Sequence, residues 1–383
     1  MTQNKIPPQI HLWVPDLFEG GKGGIRVYST FLIQALQKLR PHCKYDIFLK
    51  HDAAQPSNLP FLEQTQFHFS GQWPLRFRTP AFAFQLASYG LWQRPSLILS
   101  THLNFTVVAY WLKQLTGTPY WAVAHGVDAW DIQKPALRRG LQGADRILAV
   151  SDYTRTRLLQ EQDLDPERVV LLPNTFDSDR FQIKSKPEAL LKRYCLQAEQ
   201  PVILTVARLD ATERYKGYDQ ILQALPEIRQ QIPDVHYLLV GQGSDRPRIE
   251  QLVDQLQLQD CVTLTGFVPD QELGDHYNLC DVFAMPSKSE GFGIVYLEAL
   301  ACGKPTLGGN QDGATDALCQ GDLGVLVDPD DVPALAQTLT TVLQGTYPNP
   351  RIYQPEWLRQ QVIERFGWQQ FQKTLAELLQ NLG

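Results

Sequence analysis

The segment Val282-Phe-Ala-Met-Pro-Ser-Lys-Ser-Glu-Gly-Phe-Gly-Ile-Val-Tyr-Leu-Glu298 reads as a short apolar β-strand, a glycine loop and the opening of a helix. Glycines at such a junction let the backbone come close to a ligand, and the first amides of the helix offer a partial positive charge to an anion. The same order recurs in the first half, where Glu19-Gly-Gly-Lys-Gly-Gly24 stands between the apolar run 10–14 and residues 24–39. There Ile25, Tyr28, Phe31, Leu32, Ala35, Leu36 and Leu39 follow the i, i+3, i+4, i+7 stripe of an amphipathic helix. Two such junctions predict two α/β domains.

Working outward, apolar runs at 45–49, 97–99, 120–124, 146–150 and 169–172 continue the first half, and runs at 202–206, 236–240, 262–264, 306–307 and 325–327 continue the second. Helices are expected after Gly217, Ser244, Pro269, Gly293 and Val332. Alternation of this kind specifies parallel sheets covered by helices on both faces. The polar stretch 174–187 interrupts the rhythm and reads as the interdomain linker, which sets expected domains at 1–182 and 183–355. Residues 1–182 carry 19 Lys+Arg against 15 Asp+Glu, and 183–383 carry 16 against 26, so a net +4 faces a net −10. The whole chain, at −6, is no general polyanion binder, and nucleic acid is not an expected partner. Six scattered cysteines without CxxC or zinc spacing read as free thiols. The sequence shows no run of about 18 apolar residues and no leader pattern at its start, and the expected setting is the cytoplasm.

Both glycine loops fall at carboxyl ends of strands, where open α/β sheets bind ligands. Neither matches GxGxxG with an acidic residue about 20 positions on, which argues against a dinucleotide oxidoreductase. Glu290 lies in its loop and Glu298 lies in the helix beyond, so they cannot form a glycosidase pair about 5 Å apart; two separated carboxylates suit two polyhydroxyl groups. Arg208 and Lys216 follow the strand 202–206, placed to neutralise a departing diphosphate. His125 ends the strand 120–124. Asp177-Ser-Asp179 spells a metal-holding DxD, yet the same spacing recurs at Asp163-Leu-Asp165 and Asp328-Pro-Asp330, so no metal is assigned. Trp73-Pro-Leu-Arg-Phe-Arg78 with Phe82, Phe84, Tyr89 and Trp92 is basic and aromatic; helix packing of Phe82, Leu86 and Tyr89 competes there with contact to a membrane surface.

With these pieces in place the chain resembles the retaining glycosyltransferases of the GT-B fold that bear an E-x7-E signature, glycosyltransferase family 4 or group 1. The likeness runs through the Gly-Gly of the first loop, His125-Gly126, Pro173-Asn174, Arg208 with Lys216-Gly217, Gly241-Gln-Gly243, Gly266-Phe-Val268 and Pro286-Ser287 leading into Glu290 to Glu298. Glu213-Arg-Tyr-Lys-Gly217 and Gly308-Gly-Asn-Gln-Asp-Gly313 look most like hexosyltransferases of exopolysaccharide assembly, mannosyltransferases among them. The resemblance implies two facing Rossmann-like domains with a cleft between them, an acceptor-side first domain, a donor-binding second domain, and final helices at 356–383 that cross back to the first. It implies that Gly23, Gly24, Arg208, Lys216 and the amides of Gly291, Phe292 and Gly293, with Ile294 opening the helix, surround the donor diphosphate. Glu298 would hold the ribose, Glu290 the donor hexose, and Val268 would border the base. His125 would lie near the reacting sugar. The donor is then a nucleotide-diphosphate sugar, no cofactor is needed, and the acceptor is a glycan or lipid-linked saccharide, met in the cytoplasm or at the inner membrane surface. Retention in such enzymes goes with front-face departure and attack. Asn310-Gln-Asp312 departs from the Gly-Gly-x-Glu of many relatives. An epimerase of the same architecture, or a donor-binding protein without transfer, would share these features.

Overall fold

The computed structural model describes residues 7–18, 23–56 and 61–380, so Glu19 to Lys22 of the first glycine loop lie outside the described residues. The chain forms two compact units: one takes the described residues up to Asn174 together with those from Phe371, the other runs from Thr175 to Gln370. In the first unit β1 (Gln9–Val14), β2 (Lys44–Leu49), β3 (Gln66–Phe69), β4 (Leu97–Ser100), β5 (Tyr120–Ala124), β6 (Arg146–Ala149) and β7 (Val169–Leu171) form one parallel sheet in the order β3-β2-β1-β4-β5-β6-β7. Its helices are α1 (Gly24–Leu39), α2 (Leu75–Gln93), α3 (Thr106–Thr116), α4 (Pro135–Gln142) and α5 (Asp152–Glu161).

The second unit opens with α6 (Glu188–Arg193) and builds a parallel sheet from β8 (Val202–Val206), β9 (His236–Val240), β10 (Val262–Gly266), β11 (Val282–Met285), β12 (Thr306–Gly309) and β13 (Val325–Val327). Their order is β10-β9-β8-β11-β12-β13. Between and after them run α7 (Tyr218–Gln231), α8 (Arg246–Gln255), α9 (Asp270–Leu279), α10 (Ile294–Ala301), α11 (Ala314–Ala317), α12 (Val332–Leu343) and α13 (Pro355–Phe366); α14 (Trp368–Gln380) follows.

Helices on both faces bury a parallel strand completely, which is why these strands read as unbroken apolar runs. Every residue of β5 is buried, and α1 buries Tyr28, Leu32, Ile33, Ala35 and Leu36 with no exposure at all. Burying a side chain of Leu or Ile size in this way contributes about 1.5–3 kcal/mol. The strand that periodicity missed is β3, a half-buried edge strand in which Gln66 and His68 alternate with Phe67 and Phe69.

Two expected boundaries move. The second unit begins at Thr175 rather than 183, because the polar stretch after Asn174 is held by that unit's own side chains. Arg359 donates to the carbonyls of Ser178 (2.8 Å) and Phe181, and Asn278 Nδ2 donates to Gln182 O at 2.9 Å. At the other end, the residues that change unit start at Phe371 and not at 356. α13 stays with the second unit, where Arg359 also donates to Ala301 O (2.7 Å) and the ring of Phe366 meets Phe292 edge-on at 5.4 Å. Phe371 packs its ring 5.8 Å from Tyr28, and Leu379 O accepts from Arg40, both in the first unit.

Strand order reverses between β1 and β4 in the first sheet and between β8 and β11 in the second. The carboxyl ends of strands at such switch points are where open α/β sheets take ligands.

Candidate active site

At the second switch point the loop after β8 and the loop after β11 are locked together. Lys288 N donates to Tyr215 O at 3.0 Å. Gly217 follows in the left-handed region at φ +84°, and a Cβ there would stand 2.2 Å from Pro286 O, so only glycine lets Lys216 approach the end of β11. The outcome is an ion pair: Lys216 Nζ donates to Glu290 Oε2, with both side chains nearly buried. Burial alone would pull the Lys216 ammonium down, but the Glu290 carboxylate and the Tyr215 hydroxyl outweigh it and hold its pKa above the ordinary lysine value. Arg208, more than half exposed, reaches Glu213 Oε1 at 3.2 Å. Gly293 caps α10 at φ +86°, and the amides of Phe292, Gly293 and Ile294 find no acceptor among the described residues. Lys216, Glu290 and the start of α10 are thus brought together.

Asp312 holds this loop in place. Fully buried, it accepts from Ser287 Oγ (2.7 Å), Glu290 N (2.7 Å) and Ala314 N (2.9 Å), while Gly313 N returns a bond to Glu290 O at 2.8 Å. A Cβ on Gly313 would meet Gly291 O at 2.2 Å. Burial raises the Asp312 carboxyl to about 6 against the bonds it accepts. In the sequence this position stands out only as a departure from the family pattern, an acid followed by a glycine shortly after the strand candidate Thr306-Leu307.

Glu298 is set apart from Glu290. It lies inside α10 at 9% exposure and accepts from Tyr277 Oη at 2.7 Å. Burial pushes its carboxyl up to about 7, opposed by the Tyr277 bond and by the charge of Arg180. Neither Tyr277 nor Arg180 was expected near it. Val268, half-buried, lies between β10 and α9. Asp177 Oδ1 caps its own turn by accepting from the amides of Asp179 (3.0 Å) and Arg180 (3.1 Å). Among the described residues no three His, Cys, Asp or Glu side chains are grouped to hold a metal ion.

In the first unit, Gly23 caps α1 and its carbonyl accepts from Arg26 (3.1 Å), while Gly24 is the first helical residue. His125 directly follows β5, donates from Nε2 to Thr101 O at 3.0 Å and meets the Tyr28 ring edge-on at 5.1 Å. Burial lowers its pKa to about 3, so the ring is neutral at pH 7. Its amide donates to Asp128 Oδ1 at 3.0 Å, and burial raises that carboxyl to about 7.

Two parallel sheets of this order, each with chemistry gathered at its switch point, define a GT-B architecture. A family model described as glycosyl transferases group 1 matches residues 188–354, and one described as glycosyltransferase family 4 matches 22–180. The chain belongs to this glycosyltransferase family. It is 33% identical over 258 residues to the GDP-mannose-dependent alpha-(1-6)-phosphatidylinositol monomannoside mannosyltransferase of Mycolicibacterium smegmatis, a match spanning 65% of each chain. Its fold is that of the sucrose-phosphate synthase of Thermosynechococcus elongatus (TM-score 0.81, 23% identity, 98% of this chain and 99% of that one). HepE of Anabaena, solved with UDP, has the same fold (TM-score 0.77, 20% identity, 98% and 100%).

Proposed function

We propose that this protein is a retaining glycosyltransferase that moves a hexose from a nucleotide-diphosphate sugar to a glycan or lipid-linked saccharide, without a divalent metal. The observation that carries the reading is the Lys216–Glu290 pair fixed beside the open amides of α10 at a topological switch point. The donor diphosphate lies against those amides, Gly23, Gly24, Arg208 and Lys216, with Glu298 on the ribose, Val268 beside the base and Glu290 on the hexose. As the bond from the anomeric carbon to the diphosphate breaks, its electrons pass to the phosphate oxygen. Lys216 then exchanges its carboxylate partner for the growing charge, work otherwise given to a metal ion. The acceptor hydroxyl adds on the same face, and its proton leaves with the diphosphate. His125, neutral, lies near the reacting sugar.

The first unit takes the acceptor, in the cytoplasm and at the inner face of the membrane. What supports membrane contact is the exposed apolar surface of Leu75, Phe84 and Trp92 on α2 and Trp111 and Leu115 on α3, rimmed by Arg76 and Arg94; among the described residues no helix is long and apolar enough to cross a membrane. Flotation with anionic vesicles tests it, and salt-insensitive or absent association would end it. The mannosyltransferase relative makes GDP-mannose the first donor to assay, beside UDP-glucose. Transfer with retained anomeric configuration, undiminished in excess chelator, is the expected result. A chelator loss above about tenfold, about 1.4 kcal/mol, that magnesium or manganese restores would overturn the cation-based mechanism. Conversion of donor alone to an epimer would replace transfer by epimerisation.

A further inference from the structure

The switch point of the first sheet carries a concentration of charge that no step above uses. β1 lies between β2 and β4, all parallel, so the residues leaving these strands emerge side by side. Lys50 N donates to Val14 O (3.2 Å), His51 N to Pro15 O (2.9 Å) and Thr101 N to Trp13 O (2.9 Å), which sets Lys50 and His51 after β2 and His102 after β4 along one edge. Arg78, in the first turn of α2, joins them: Nη2 donates to Gly71 O at 2.7 Å, and Nη1 lies 3.5 Å from His51 Nδ1. Its guanidinium is thus fixed by a carbonyl and an imidazole.

Among the described residues neither Lys50 nor Arg78 has a carboxylate partner. The nearby acid, Asp52, is buried and committed to the amides of Leu17 (2.6 Å) and Phe18 (3.1 Å). The cluster therefore repels itself. Lys50 is lowered by burial and by Arg78. His51 is lowered by burial, Lys50 and Arg78 against the pull of Asp52, and His102 is lowered to about 4 by burial, Lys50 and His51. Unneutralised cations held at a ligand-binding edge mark a site whose counter-charge arrives with the ligand. A planar guanidinium, an ammonium and two neutral imidazoles with N–H groups to give suit a tetrahedral oxyanion.

We infer that Lys50, His51, Arg78 and His102 form a phosphate-binding site on the first unit. Under the function proposed above, the phosphate belongs to the acceptor; its owner, but not its binding, rests on that reading.

The test is imidazole NMR on the full chain, following the His51 and His102 ring signals during titration with inorganic phosphate, then glycerol 3-phosphate, then vesicles of phosphatidylinositol against phosphatidylcholine. Bound phosphate favours the imidazolium, so both rings should shift saturably and their pKa values rise by about one unit. Lys50→Gln and Arg78→Gln should each weaken the response about tenfold with unchanged circular dichroism. Response to the soluble phosphates assigns the site to a soluble phosphorylated acceptor; response only to phosphatidylinositol vesicles assigns it to a lipid headgroup. Silence of both rings in every arm, or an undiminished response in the Lys50→Gln/Arg78→Gln double variant, overturns the inference. Silence together with intact stabilisation by GDP-mannose would sink the phosphate site and leave the transferase reading standing. Phosphate binding without transfer from any donor would do the reverse.

Discussion

The two switch points hold cations in opposite ways. In the second unit each cation of the site faces a carboxylate: Lys216 faces Glu290, Arg208 faces Glu213, and Arg214 faces Asp245 at 2.9 Å. In the first, Arg78 faces the carbonyls of Trp73 and Gly71 and the His51 imidazole, and Lys50 has no carboxylate partner among the described residues. A paired cation is already oriented and attracts a resting anion weakly, so its charge counts most when a leaving group's charge outgrows that of the carboxylate it displaces. An unpaired cluster attracts any standing anion. Under the proposed function, one arrangement would favour the transition state and the other would favour binding.

The most direct way to break this contrast is Lys216→Ala. Transfer should fall about 10²- to 10³-fold in kcat with donor KM little changed, as for loss of one preorganised charge stabiliser. The variant also strands Glu290, so Lys216→Ala/Glu290→Gln should regain thermal stability without regaining kcat. An unchanged kcat in steady-state assays of the single variant would remove Lys216 from the mechanism.

Asp312→Asn should come next, at roughly tenfold in kcat/KM, because an amide cannot accept the bonds of Ser287, Glu290 and Ala314 as the carboxylate does. The readout that separates positioning from mere stability is the pH profile. Asp312 is raised to about 6, so wild-type activity should fall as pH drops through 6, and the variant should lose that limb. A limb that persists in the variant assigns it to another group.

Glu298→Gln tests the second carboxylate with a smaller, several-fold rise in donor KM. Ribose hydroxyls bond best to the ionised form, so wild-type KM should fall as pH rises through about 7, and the variant's should stay flat. The sign for stability is opposite. Its pKa is raised on folding, so the folded state holds the proton longer between the ordinary value of 4.5 and about 7; stability present at low pH is lost as pH climbs that window. Thermal melts of wild type and variant should converge at low pH and separate above 7, with the variant more stable. The smallest effect belongs to Phe84→Ser with Trp92→Ser, which should change stability by under about 0.5 kcal/mol because both side chains are exposed, while weakening vesicle flotation.

Most strands were legible because a sheet covered on both faces demands apolar runs, and the two loops that bring Lys216 to Glu290 were legible because glycines punctuate them. What escaped depends on partners distant in the chain. β3 pairs along one edge and keeps polar residues. The stretch after Asn174 has a linker's composition, yet its carbonyls are taken by a side chain up to 181 residues away. Asp312 looks like an ordinary turn acid until Ser287, 25 residues earlier, is set against it. Lys50, Arg78 and His102 meet only because β2, β1 and β4 lie side by side. On α2, Phe82 and Leu86 are buried as the helical stripe required, but Phe84 and Trp92 stand in solvent at 74% and 78% exposure.

The return of the residues from Phe371 on to the first unit sets the order in which the two units can close on the ribosome. β1 to β7 emerge before the second unit, but Phe371, which meets the Tyr28 ring, and Leu379, whose carbonyl takes Arg40, follow only after it. The second unit, with α13 already in hand, can close before them. A nascent chain halted after Gly367 would carry a second unit with α13 already packed and a first unit still lacking the residues from Phe371 on, so the unit made earlier is the one that closes later.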